Sequence, residues 1–284
     1  MKVKNNSGDK KKIAIICSGG GMRCAYSAGA LMALVEKYNL TDPHIIMGSS
    51  GSAGTITYFV AKQYDSIKNI WLNLLSSKEF ISLWRIWNIM DLDYLINIFK
   101  KKAILNIDTL KNSKIKYFIG VRNLENGRIE YYSNDSHHNI LNILRASKTM
   151  PLASREYIEI DGKRYIDGFM GANINTYIKK AKDEGADTMI LIDNSSVIKS
   201  KTEFIFLRIY ALLTPGHMSA ILKNYLYNDI KNKTLIKSKD IIYIKPRKGL
   251  FASMFNNSKR RLRKTYQMGY DDIVANKELQ SLFL

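Results

Sequence analysis

The chain has 284 residues, 46% hydrophobic and 24% charged, with four prolines, a composition that excludes a disordered or fibrous chain and indicates a globular one. Its 44 basic against 25 acidic residues leave a net charge of +19, which favours an anionic membrane surface or nucleic acid as partner. No zinc-finger, RNA-recognition or helix-turn-helix pattern accompanies the charge, so specific nucleic-acid binding is not expected.

No apolar run approaches the roughly 20 residues of a membrane-spanning helix. The start, MKVKNNSGDKKK, lacks the apolar core of a signal peptide, and a cytoplasmic protein is expected. Residues 1–12 read as a polar leader and 13–284 as a single domain. IAIIC (13–17) has the pattern of a buried strand, SGGG that of a tight turn, and Ala25 to Tyr38 carries small and apolar residues at helical spacing. The unit repeats: HIIMG is a second strand, the serine and glycine stretch its turn, and AGTITYFVAKQY a second helix. Two such units predict a mostly parallel sheet covered by helices, an α/β architecture. Cys17 and Cys24 flank the glycine turn at a spacing that suits neither a disulfide framework nor a metal site, and both read as free thiols.

Residues 65–112 read as a helical insertion or cap, whose aromatic residues, Trp84 and Trp87 among them, supply core packing or, alternatively, a cap over an apolar ligand. KYFIGVRNLENGRIEYYS predicts a hairpin turning at Asn126-Gly127, and NILNILRASKTMPL a helix stopped before Pro151. A second hairpin, EYIEIDGKRYIDG, turns at Asp161-Gly162 and delivers Asp167 and Gly168 to a strand end. A helix, the strand TMILID (188–193) and the strand DIIYIKP (240–246) follow, then a basic helical extension over about 247–284.

The stretch GSSGSAG (48–54) raises the question of which serine acts. A nucleophile elbow has the form G-x-S-x-G on a sharp strand-to-helix turn. Ser50 has Gly48 before it but Ser52 after; Ser52 has Gly54 after it but Ser50 before. SGSAG with Ser52 as nucleophile is the better fit, since Ser52 precedes the Ala-Gly opening of the helix; the alternative is that Ser49, Ser50 and Ser52 only cap that helix. A base is also needed, and His44, His137, His138 and His217 stand in no recognisable motif, which leaves Asp167 as the better candidate. SGGGMRC (18–24) exposes consecutive amides that suit an oxyanion, with Arg23 adding positive charge; as a dinucleotide loop its spacing fails at Cys24.

These motifs, in this order, resemble the patatin-like phospholipase family. GGGMR (19–23) looks like that family's oxyanion hole, GSAG (51–54) like its serine elbow and Asp167-Gly168 like its catalytic Asp-Gly pair. LRASKTMPL (144–152) and IDGKRYIDG (160–168) look like the stretch leading to the aspartate, and DLDYL (91–95) and YQMGYDDI like a bacterial subgroup. The resemblance implies a three-layer α/β/α fold and hydrolysis of fatty acyl esters by a Ser52–Asp167 dyad, with no metal or other cofactor. It implies an oxyanion hole of Gly19, Gly20, Gly21 and Arg23, with Gly51, Ala53, Gly54 and Gly168 supporting the elbow and dyad. Departures are Ser50 at the first elbow glycine, Cys24 after the arginine, and Phe169 and Asn175 where glycine and proline are common. Lys259, Arg260, Arg261, Arg263 and Lys264 form the densest basic cluster, the candidate contact to an anionic membrane surface, so that the protein could work peripherally at the membrane.

Overall fold

Strand β1 (Ile13–Cys17) is buried at all five positions, which is what a strand covered by helices on both faces requires. The computed structural model describes residues 11–85, 88–150, 154, 157–168, 174–195 and 238–283. The leader up to residue 10, Trp87, Pro151, Phe169 and His217 lie outside them. From β1 the sheet grows in both directions. On one side lie β2 (Ile45–Gly48) and β3 (Lys116–Asn123), on the other β7 (Thr188–Ile192) and β8 (Ile241–Ile244), and these five strands are parallel. Antiparallel β4 (Ile129–Ser133), β5 (Ile158–Ile160) and β6 (Lys163–Asp167) complete the β3 side.

Alternation along β1 divides the core into two layers. Ala14 and Ile16 pack with Ile178 and Ala181 of α7 (Ile174–Asp183) on one face. Ile15 and Cys17 pack on the other with α1 (Ala25–Tyr38), α2 (Gly51–Val60) and α8 (Lys259–Val274). This is the expected α/β/α arrangement, and both expected hairpins are present. The second turns through Asp161 (φ 51°) and Gly162 (φ 71°), the left-handed pair of a tight two-residue hairpin.

The helices of the insertion are short. The insertion holds α3 (Tyr64–Leu72), α4 (Leu92–Asn97) and α5 (Ile107–Lys111), with an Ile81–Met90 bridge closing the turns between α3 and α4. Residues 140–146 form α6 (Ile140–Ala146), and α9 (Lys277–Phe283) ends the described chain. The basic C-terminal segment packs tightly into the body of the protein: α8 crosses α1 backbone to backbone. A Cβ on Gly29 would lie 1.8 Å from the Tyr266 carbonyl oxygen, and one on Gly269 would lie 2.0 Å from that of Tyr26. No helix among the described residues is long and apolar enough to cross a membrane.

Candidate active site

Strands β1 and β2 end side by side, Cys17 opposite Gly48, so the glycine loop and the serine turn leave the same end of the sheet. Ligands of open α/β sheets bind there, beyond the carboxyl ends of the strands. After Gly48 the chain must reverse into α2 within two residues. Ser50 takes up the turn at φ 58°, ψ −135°, a backbone state that costs a non-glycine residue about 1–3 kcal/mol. The turn is held from outside. The Ser50 amide donates to the carbonyl (2.9 Å) and Oγ (3.0 Å) of Ser147, whose own hydroxyl donates to the Gly120 carbonyl at 3.0 Å. Tyr177 donates its hydroxyl to Ser49 Oγ at 2.9 Å.

The sharp strand-to-helix turn is therefore centred on Ser50, two residues before Ser52, the nucleophile expected from the sequence. Ser52 lies in the first turn of α2 and is wholly buried. Its Oγ donates to the Ser18 carbonyl at 2.8 Å, accepts from Asn194 Nδ2 at 3.2 Å and pairs with Ser27 Oγ at 2.9 Å. These bonds tie α2 to the ends of β1 and β7, and they leave Ser52 outside the lining of the adjoining cavity, whereas Ser50 is part of that lining. The sequence favoured Ser52 because Gly54 completes one half of its motif. Gly54 has a different reason to be glycine: its missing Cβ would sit 3.3 Å from Phe99 Cζ and 3.8 Å from Lys148 Nζ.

The glycine loop faces this turn. Gly20 (φ 154°) and Gly21 (φ 58°) adopt conformations open to glycine, and a Cβ on Gly51 would lie 2.5 Å from the Gly21 carbonyl oxygen. Among the described residues the amides of Gly19, Gly20 and Gly21 find no acceptor. Arg23 folds back on the loop, its Nε donating to the Gly20 carbonyl at 3.2 Å, and it is not part of the cavity lining. Cys24 packs against Gly51, and burial pushes its thiol up to about 12, so it stays protonated.

Asp167 ends β6 opposite Val121 and is buried; its amide donates to the Thr149 carbonyl at 2.8 Å. Gly168 fits beneath it because a Cβ there would lie 2.3 Å from the Gly120 carbonyl oxygen. Residues 147–149 thus bind the elbow at one end and the aspartate strand at the other. Between them Lys148, absent from the sequence-based candidates, reaches the same cavity as Ser50.

The cavity is narrow, partly open to solvent and lined mostly by apolar side chains. Its walls come from the insertion (Ile70, Trp71, Leu75, Phe80, Leu95, Phe99) and from Met254 and Phe255 before α8. Trp71 donates its indole N–H to Thr55 at 2.9 Å, so its apolar face is turned to use. Trp84, a candidate for this role, is 95% exposed. His137 and His138 gather with Asp161 at the tip of the second hairpin, and neither they nor His44 line the cavity.

The Patatin family profile, described as patatin-like phospholipase, matches residues 15–178, more than half the chain. The chain belongs to the patatin-like phospholipase family. Among curated proteins it is similar to the uncharacterized protein YjjU of Escherichia coli K12, 26% identical over 189 residues. That match takes in 64% of this chain and 51% of YjjU, so the chain spans about half the length of that relative. Among solved structures it is similar to VipD from Legionella pneumophila, with a TM-score of 0.54 over 98% of this chain and 69% of that one. At 14% identity the likeness to VipD is one of fold. The patatin-like match spans the glycine loop, the elbow and Asp167 together.

Proposed function

We propose that the chain is a serine acyl hydrolase of phospholipids or lysophospholipids, with Ser50 as nucleophile and Asp167 as its base. The observation that carries this reading is the contrast at the elbow: Ser50 is held in a strained turn on the cavity, while Ser52 has its hydroxyl committed three ways. Ser50 Oγ attacks the ester carbonyl as its proton passes to the Asp167 carboxylate. The tetrahedral oxyanion is met by the amides of Gly20 and Gly21 and that of Gly51, which follows the nucleophile. Arg23 steadies that loop through Gly20. Collapse expels the alcohol with the proton from Asp167. Water, deprotonated by Asp167, then attacks acyl-Ser50 and releases the fatty acid. The apolar cavity holds the acyl chain.

Exposed Lys259, Arg260, Arg261, Arg263 and Lys264 stand on the first turns of α8 while Leu262 points inward. Asn257, just before them, donates to the carbonyls of Leu75 and Ser77 at the cavity wall. This places a basic surface close to the cavity and supports docking to anionic membranes at about 1 kcal/mol per basic residue. Co-sedimentation with vesicles should require anionic lipid; binding indifferent to lipid charge would remove this role.

The test of the chemistry is turnover of a lysophospholipid by Ser50→Ala and Asp167→Asn, both checked for native circular dichroism. Each is expected to lose at least about 10³-fold in kcat. Undiminished turnover in Ser50→Ala would overturn the assignment of the nucleophile.

A further inference from the structure

Lys148 is 5% exposed, and its Nζ is buried with no hydrogen-bond partner among the described residues. An ammonium in an apolar wall is costly unless something meets it. It is held there deliberately by the chain on either side: Ser147 grips the elbow and Thr149 accepts from the Asp167 amide, so the side chain between them is directed at the site. Its Nζ lies 3.8 Å from where a Gly54 Cβ would stand. Gly54, in the first turn of α2, and Ser50, the residue before that helix, line the same cavity as Lys148.

A buried cation in the cavity that Ser50 lines suits one class of ester. In a glycerophospholipid, the ester oxygen, two carbons (2-acyl) or three (1-acyl) and a second oxygen separate the scissile carbonyl carbon from phosphorus, roughly 6–7 Å when extended at about 1.5 Å per bond. We infer that Lys148 is the site's phosphate-binding residue, selecting acyl esters with a phosphate next to the scissile bond over neutral acylglycerols. This rests on Ser50 being the nucleophile. The acyl chain then follows the apolar wall while the phosphate gives the buried amine its missing acceptors.

Among the described residues, few charges face Lys148. Burial pulls its amine down to about 7, partly opposed by the Asp167 carboxylate at the end of β6, while the Cys24 thiol just before α1 stays protonated beside it. Tyr58, also in the lining, donates its hydroxyl to the Ala103 carbonyl, and burial keeps it protonated.

Two soluble substrates with the same acyl group, 1-hexanoyl-glycerophosphocholine and 1-hexanoylglycerol, test the inference below their micelle-forming concentrations. The ratio of their kcat/KM values cancels whatever the acyl pocket and Asp167 do in common. In Lys148→Met that ratio should fall about 10- to 100-fold, the worth of one hydrogen bond to a charged group. In the unaltered enzyme it should fall as pH rises from 6 to 8.5, because the amine loses its proton while a phosphodiester keeps its charge. This second measurement needs no variant to fold. Turnover of both substrates with a ratio constant in both experiments would overturn the inference alone. Absence of turnover on either, with no fluorophosphonate adduct, would defeat the hydrolase reading and the inference with it.

Discussion

Ser50 and Ser52 are separated by one glycine, yet the chain treats them in opposite ways. Around Ser50, on the cavity side, the backbone is strained, and the Lys148 amine in the same cavity has no partner among the described residues. Around Ser52, on the packing side, the hydroxyl is met by Ser18, Ser27 and Asn194, and helices approach to glycine-only distances. Unfavourable energy is concentrated where substrate is to bind, and the satisfied layer behind it holds that strain in place. Substitutions in the two regions should therefore move stability in opposite directions.

The largest effect belongs to the packing side. Gly29→Ala forces a Cβ against the Tyr266 carbonyl and should cost at least about 3 kcal/mol by parting α1 from α8. Urea denaturation reads it, and a midpoint equal to that of the unaltered chain would contradict the helix crossing.

Lys148→Met should act the other way. The unfolded chain holds the Lys148 proton up to the ordinary lysine range near 10.5, whereas the folded chain gives it up near 7. Between these values the unfolded state binds more protons, so the lysine's penalty is full below about 7 and fades as pH rises towards 10.5. The variant should gain on the order of 2–4 kcal/mol at pH 7 and much less at pH 10. A gain independent of pH would mean the amine is not buried as described.

Smaller effects come from the serines. Ser52→Ala leaves the Asn194 amide without one acceptor and should cost about 1–3 kcal/mol while retaining catalysis. Ser50→Gly relieves a positive φ and should gain about 1 kcal/mol while abolishing turnover. A loss of stability in the glycine variant would remove the claim of strain.

Much of the architecture was legible because buried strands are written as apolar runs and their turns as glycine. IAIIC, HIIMG and TMILID each became a strand of the parallel core. The general place of the site was legible too, from the glycine loop and from Asp167 at a hairpin's end. The choice between the serines was not, because the motif is a pattern of small residues and both serines sit among glycines. What separates them is a dihedral angle and a set of partners, Ser18, Ser27 and Asn194, drawn from distant parts of the chain. The pairing of Gly48 with Ser50 was the available signal. Lys148 was hidden for a similar reason: a lysine in a helical, basic chain looks solvated until its neighbours are seen to hold both halves of the site.

The most direct measurement is to label the protein with a fluorophosphonate, digest it and locate the adduct by peptide mass, beside Ser50→Ala and Ser52→Ala. A single adduct on Ser50, lost in Ser50→Ala and kept in Ser52→Ala, is the predicted result. An adduct on Ser52, kept in Ser50→Ala, would contradict it.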